Sequence, residues 1–144
     1  MRWLGIDYGD SHIGLAISDE LGSFAIPYRT LRRNPKTSDE IRQIVESKRI
    51  TGILIGLPKN MDGTLGSSAA KSKEFGLQLQ AAFLTIKIVF WDERLTTIEA
   101  QRALHSAGKN TKQSKKVIDQ VAAQILLQSY LDALTLRLSD GLEP

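Results

Sequence analysis

The fold is decided by residues 3–18, which read WLGIDYGDSHIGLAIS. Two short apolar runs, residues 3–8 and 12–18, are separated only by the turn-forming residues 9–11. So short a connection joins antiparallel neighbours and therefore indicates a β-hairpin. A further run over residues 24–31 predicts a third strand, and Pro27 within it favours an edge position.

Beyond this meander the pattern alternates between helix and strand. The segments that carry it are a capping box opening a helix at 37–40, a buried strand at 53–57, a helix at 67–83, a strand at 85–91, a second capping box opening a helix at 96–107, and a long helix at 115–138. The order predicts an α/β fold: a mixed five-stranded sheet, three antiparallel strands and then βα units, with helices on both faces. Right-handed crossovers would bring strands four and five beside strand one.

Size and composition indicate one domain over residues 1–138 and a short C-terminal tail over 139–144. The chain has no cysteine, which excludes disulfides and thiolate metal sites. No apolar run approaches the roughly 20 residues of a membrane span, and a strand begins at once, so we expect a cytoplasmic protein with neither membrane contact nor signal peptide. The net charge of +3 is compatible with a polyanionic partner.

Three acidic residues lie in or at the end of apolar elements: Asp7, Glu93 and Asp119. Strand one should end near Asp7 and strand five just before Glu93, at the sheet edge where open α/β sheets bind ligands. On a helix, Asp119 would interrupt the stripe of Ala122, Ala123 and Leu126. Converging carboxylates call for a hard cation. The alternatives are a turn-capping role for Asp7, an Arg94 partner for Glu93, and a basic partner or an exposed first turn for Asp119.

Two segments could contact phosphate groups. In the loop over residues 56–64, backbone N–H groups with Lys59, Asn60 and Thr64 could cradle a phosphate, although a plain connecting loop explains the composition equally well. Lys109, Lys112, Lys115 and Lys116 lie in or beside a polar segment that precedes the Asp119 helix, and they predict either contacts to a nucleic-acid backbone or a solvated basic loop.

Four motifs in series resemble the YqgF (RuvX) family over nearly the whole chain: DYG at 7–9 with IGLA at 13–16, GLPKNMDGT at 56–64, DERLTT at 92–97, and the last-helix motif beginning with ID at 118–119. The resemblance implies a ribonuclease H-like fold and a metal-dependent nuclease that matures the 5′ end of pre-16S rRNA. It places the family's acidic residues on Asp7, Glu93 and Asp119, and it decides for Glu93 over Asp92.

The implied mechanism is two-metal hydrolysis of a phosphodiester. Asp7 would bridge two Mg²⁺ or Mn²⁺ ions about 3.5–4 Å apart, with Glu93 and Asp119 completing their shells. Arg94, Lys59 and Asn60 would neutralise the phosphate, and Lys115 and Lys116 would hold the flanking backbone. The alternatives are a Holliday junction resolvase acting on branched DNA and a nucleic-acid-binding module with a vestigial site. Monomer and homodimer both stay open.

Overall fold

The computed structural model describes residues 1–95, 114–139 and 141, with the backbone alone for 114–116 and 139. Its elements in chain order are β1 (Trp3–Tyr8), β2 (His12–Ser18), β3 (Ala25–Arg32), α1 (Thr37–Ser47), β4 (Gly52–Leu57), α2 (Ser67–Ala82), β5 (Lys87–Asp92), a 3₁₀ turn (Glu93–Leu95) and α3 (Ser114–Ser139). The helix predicted over 96–107 and the basic segment 108–113 lie outside the described residues. No helix within the described ranges is long and apolar enough to cross a membrane.

The strands form one mixed sheet in the order β3-β2-β1-β4-β5. β1 and β3 each pair antiparallel with β2, whereas β4 pairs in parallel with both β1 and β5. This confirms the predicted mixed α/β sheet, including the place of strands four and five beside strand one. It also confirms the edge position of the Pro27 strand, where a missing N–H donor is tolerated.

Each face of the sheet buries its own apolar cluster. Leu4 and Ile6 of β1 pack with the apolar residues of α1 and α2 on one face. Trp3 packs with Ala123 and Leu127 of α3 on the other. Because side chains alternate along a strand, Gly5 and Asp7 share the α3 face with Trp3. The sheet thus places the Asp7 side chain under α3, at the carboxyl end of β1.

The ends of several elements differ from the sequence-based predictions. The Thr37 hydroxyl does not cap α1: it donates to the Arg32 carbonyl at 2.8 Å and accepts from the Asn34 N–H at 3.0 Å. The predicted capping box is therefore wrong, because this hydroxyl fixes the loop before the helix instead. α3 reaches Ser139, one residue into the predicted tail.

Candidate active site

Asp7 and Glu93 meet at the carboxyl-end edge of the sheet. Asp7 is the penultimate residue of β1, and Glu93 opens the 3₁₀ turn directly after β5. Their side chains share a hydrogen bond. Burial and the neighbouring charges raise the pKa of Asp7 to about 6 and that of Glu93 to about 7. Two carboxyl groups can share a hydrogen bond only when one is protonated, so the pair holds one proton between them.

Asp119 approaches this pair from α3. Its negative charge is one of the causes that raise the Asp7 pKa. Gly14, the register partner of Asp7 on β2, lies directly under the Asp119 backbone. A Cβ atom on Gly14 would come within 1.9 Å of the Asp119 carbonyl oxygen. The contact therefore holds the part of α3 around Asp119 over β1 and β2, the strand pair that carries Asp7.

Asp7, Glu93 and Asp119 do not surround a common point. Within the described ranges, no three acidic or histidine side chains stand close enough together to enclose a metal ion. Asp7 and Glu93 are in contact, whereas Asp119 acts on Asp7 through its charge. The donors nevertheless fit a hard divalent cation, since all three are carboxylates. Burial and the charge of Asp119 raise the pKa of Asp7, and burial and the charge of Asp7 raise the pKa of Glu93.

Strand glycines on the α3 face make room for this arrangement. A Cβ on Gly56 of β4 would lie 3.0 Å from Glu93 Oε1 and 2.7 Å from Leu126 Cδ1. A Cβ on Gly5 would lie 2.9 Å from Leu127 Cβ. Sequence reasoning did not identify Gly14 or Gly56 as site residues. The available signal was a glycine inside a strand, which often marks a close approach by another part of the chain.

Arg94 forms an ion pair with Asp92, whereas Glu93 is hydrogen-bonded to Asp7. Its Nε donates to the two Asp92 carboxylate oxygens at 3.1 and 2.9 Å, and its Nη2 donates to Asp92 Oδ2 at 2.6 Å. The Arg94 Nη1 donates to the Met61 carbonyl at 3.2 Å. The alternative of a Glu93–Arg94 pair is therefore wrong, and the guanidinium holds the pKa of Asp92 below its usual range. Arg94 ties the loop after β4 to the end of β5, and its contact with phosphate stays a prediction.

The loop after β4 is closed by its own hydrogen bonds. The N–H groups of Lys59, Asn60 and Gly63 donate to the carbonyls of Leu57, Thr64 and Asn60. The Thr64 N–H donates to Asp62, and the Asn60 amide donates to the Thr64 hydroxyl. These four N–H groups are therefore not free to cradle a phosphate. The roles of the Lys59 and Asn60 side chains in nucleic-acid binding stay predictions.

A cleft of about 190 Å³ opens over the carboxyl pair, and two cations that sequence reasoning missed line it: Arg33 and Lys71. Lys71 Nζ lies 3.8 Å from the exposed Asp10 carboxylate. Nothing in the local sequence separates these two from other surface cations, because only the fold brings them to Asp7. The side chains of Lys115 and Lys116 lie outside the described part of the chain, and so do Lys109 and Lys112.

Comparison with known proteins gives a family and close relatives. The family model described as "RuvX: Holliday junction resolvase" matches residues 1–133. A protein of Clostridium botulinum (strain Alaska E43 / Type E3), named "Putative pre-16S rRNA nuclease", is 45% identical over 137 residues, which cover 94% of this chain and 99% of the relative. A protein of the same name from C. botulinum (strain Hall / ATCC 3502 / NCTC 13319 / Type A) is 47% identical with the same coverage.

Solved structures share the fold at low sequence identity. Thermus thermophilus RuvC, solved in complex with a Holliday junction substrate, superposes with a TM-score of 0.56 and 15% identity, covering 92% of this chain and 96% of that one. The Fowlpox virus resolvase, solved with Holliday junction DNA, gives a TM-score of 0.54 and 12% identity, covering 93% and 99%. These neighbours confirm the predicted ribonuclease H-like fold.

Proposed function

This chain belongs to the RuvX family, and from that premise we propose that it is a metal-dependent endonuclease that cleaves phosphodiester bonds in the 5′-end maturation of pre-16S rRNA. The observation that carries the proposal is the contact between Asp7 and Glu93 at the carboxyl-end edge of the sheet, within electrostatic reach of Asp119. Relatives covering nearly the full chain at 45% and 47% identity carry the name of a pre-16S rRNA nuclease, which supports this substrate.

Asp7, Glu93 and Asp119 are the residues that would hold Mg²⁺ or Mn²⁺. When bound, such ions supply a nucleophilic water of lowered pKa and stabilise the leaving oxygen of an in-line displacement. The protein must first release the proton shared by Asp7 and Glu93, since a carboxylate binds a cation in its ionised form. Gly56 allows Glu93 to lie back over β4, which fixes its carboxyl group beside Asp7.

The basic side chains of the cleft would hold the substrate phosphate. Arg33 and Lys71 line the same cleft as Asp7, Asp10 and Glu93, so a phosphodiester entering it meets two cations beside the carboxyl groups. Charged contacts of this kind position a nucleic-acid backbone without reading its sequence. Lys59, whose charge reaches Asp92, would contact the strand further along the same edge.

A second candidate is cleavage of four-way DNA junctions. The family description names a Holliday junction resolvase, and this favours branched DNA as the alternative substrate. A resolvase usually acts as a symmetric dimer, because paired cuts are needed on two strands.

A binding module with a vestigial site is the third possibility. The Asp7–Glu93 contact argues against it, because two buried carboxyl groups in contact destabilise a protein that has no use for them.

The test is cleavage of a labelled 5′ fragment of pre-16S rRNA, in parallel with a four-way DNA junction, in Mg²⁺ or Mn²⁺. We expect metal-dependent cleavage of the RNA, abolished by Asp7→Asn. Asp132→Asn, the same change at an exposed position of α3, is the matched control and should cleave normally. Symmetric cleavage of the junction alone would transfer the assignment to a resolvase. Full activity of Asp7→Asn would exclude the carboxylate site.

A further inference from the structure

A second pocket adjoins the carboxylate cleft, and the two have Tyr8 and Arg33 as a common wall. Its volume is about 300 Å³, and it lies between the end of β1, the start of α1 and the middle of α2. The other residues that line it are Asn34, Thr37, Ser38, Phe75 and Gln78. All of these are neutral, so the pocket presents no negative charge to a nucleic acid.

Arg33 is held in place at the boundary between the two pockets. Its guanidinium carbon lies 4.5 Å from the centre of the Tyr8 ring. Its Nη1 donates to the carbonyls of Gly9 and Asp10 at 3.2 and 3.1 Å. The Tyr8 ring stacks on Phe75 with centroids 4.3 Å apart and an angle of 22° between the planes. Phe75 and the Arg33 guanidinium thus both contact the Tyr8 ring.

We propose that this pocket binds the base of an unpaired nucleotide next to the phosphate held by Arg33 and Lys71 in the carboxylate cleft, with the base lying on the Arg33 guanidinium. The inference rests on the proposed function and specifies its substrate as a single-stranded or locally unpaired segment. Bases that are not paired stack on aromatic rings and on arginine guanidinium planes, whereas bases inside a duplex are covered by their neighbours. Because Arg33 lines both pockets, a base on it stays within one nucleotide of the cleft.

The rim of the pocket carries groups that could pair with the edge of a base. Ser38 and Gln78 are exposed, and within the described residues neither the Ser38 hydroxyl nor the Gln78 amide makes a hydrogen bond. A hydroxyl and a carboxamide can each donate and accept, so together they suit the mixed edge of a nucleobase. The buried Thr37 hydroxyl is already used by Arg32 and Asn34. It therefore belongs to the pocket wall.

Binding rather than cleavage tests this pocket, so that its outcome is independent of catalysis. The protein is the Asp7→Asn variant in Mg²⁺, and the probes are a labelled oligouridylate and an abasic ribose-phosphate oligomer of equal length and charge. We expect the base-bearing oligomer to bind about tenfold more tightly, a typical effect of base stacking. Equal affinities would overturn the proposal, and so would binding of a duplex RNA as tightly as the single strand.

Arg33→Lys is the decisive variant, because it keeps the positive charge and removes the planar group. We expect it to abolish the preference for the base-bearing oligomer. Lys71→Ala, in the carboxylate cleft, should weaken both oligomers alike. If Arg33→Lys keeps the full preference, Arg33 acts only as a charge and the pocket assignment fails.

A second variant guards against misfolding of the Arg33 variants, since Arg33 also anchors the turn after β1. Gln78→Ala lies at an exposed helix position and should leave the thermal midpoint unchanged. It is expected to weaken the base-bearing oligomer severalfold and leave the abasic oligomer unaffected. If the native protein fails to cleave the RNA while the preference for the base-bearing oligomer is intact, only the nuclease assignment fails. If the native protein cleaves the RNA and this preference is absent, only the pocket assignment fails.

Discussion

Gly14 and Asp119 are in backbone contact, and this contact sets the distance between α3 and the sheet at the level of the acidic cluster. A Cβ on Gly14 would overlap the Asp119 carbonyl oxygen at 1.9 Å and lie 3.0 Å from Asp119 Cα. Gly14 is also the register partner of Asp7. One glycine thus controls how closely an acid on a helix approaches an acid on the neighbouring strand.

Gly14→Ala should therefore impair both stability and metal binding. The new methyl group meets rigid backbone rather than a flexible side chain, so α3 must move away from β2. Overpacking of this kind destabilises a protein by about 1–3 kcal/mol. We expect a loss in that range by urea denaturation and a larger proportional loss of nuclease activity.

Gly5→Ala is the matched control for this prediction. Its added methyl would press on the Leu127 side chain, two helical turns from Asp119, and on the Ala123 carbonyl oxygen, one turn from Asp119. It should lower stability to a similar extent and spare metal affinity, measured by titration of Mn²⁺. If Gly14→Ala bound metal as the native protein does, the contact would have no part in placing Asp119.

The metal-free protein should lose stability as the pH rises from about 4 to about 7. The pKa values of Asp7 and Glu93 are raised in the folded state from 3.8 and 4.5 to about 6 and about 7. Between these limits the folded protein holds protons that the unfolded chain has released, so stability falls with increasing pH. A shift of about two pKa units in one group corresponds to about 3 kcal/mol.

The measurement is urea denaturation in EDTA at pH 5 and pH 8, for the native protein and Asp7→Asn. Asparagine keeps the neutral form of the side chain at every pH, so the variant should be the more stable protein at pH 8. The difference between variant and native should shrink at pH 5. Parallel pH profiles for the two proteins would show that the Asp7–Glu93 pair does not control the dependence.

The layout of the sheet followed from sequence because its causes are local. Short turns force antiparallel neighbours, and the continuous apolarity of β4 predicts burial on both faces, as observed. Alternation placed Asp7 on the face of Trp3 and Gly5. Glu93 has the same parity as Val89 and Trp91 of β5, but the sequence alone does not tell which face of that strand meets α3. The structure shows Val89 and Trp91 in the cluster under α3, so Glu93 continues toward Asp7.

The parts of the site that sequence did not reveal depend on contacts between distant segments. Arg33 follows the edge strand and Lys71 lies on α2, and only the packing of β1 against α2 brings both to one cleft. The closed loop after β4 depends on hydrogen bonds among its own turn residues, which its composition permits but does not require.

Mg²⁺ or Mn²⁺ should stabilise the folded protein more at pH 8 than at pH 5.5. Binding requires ionised Asp7 and Glu93, whose raised pKa values leave them largely protonated at the lower pH. A ligand at a hundred times its Kd stabilises by about 2.7 kcal/mol. We expect an increase in Tm at pH 8 that is strongly reduced at pH 5.5 and absent in Asp7→Asn. An equal increase in that variant would place the metal elsewhere.

Arg94→Lys should separate the positioning role of Arg94 from its charge. Lysine keeps a cation beside Asp92, but it cannot donate to both Asp92 oxygens and to the Met61 carbonyl at once. The loop after β4 then loses its hydrogen bond to residue 94 at the end of β5. The 3₁₀ turn that carries Glu93 is therefore held in place less firmly. Because small misplacements of catalytic groups are costly, we expect kcat to fall by about tenfold or more.

The readout for Arg94→Lys is the split between kcat and KM, together with limited proteolysis at the loop. A positioning role predicts a lower kcat, a KM close to that of the native protein and faster cleavage near the exposed Met61. Lys59→Ala, in the same loop, is the matched control and should raise KM with little change in kcat. If Arg94→Lys behaved like the native protein and Arg94→Ala raised KM without changing kcat, Arg94 would act on the substrate phosphate. That is the role predicted for Arg94 from the sequence.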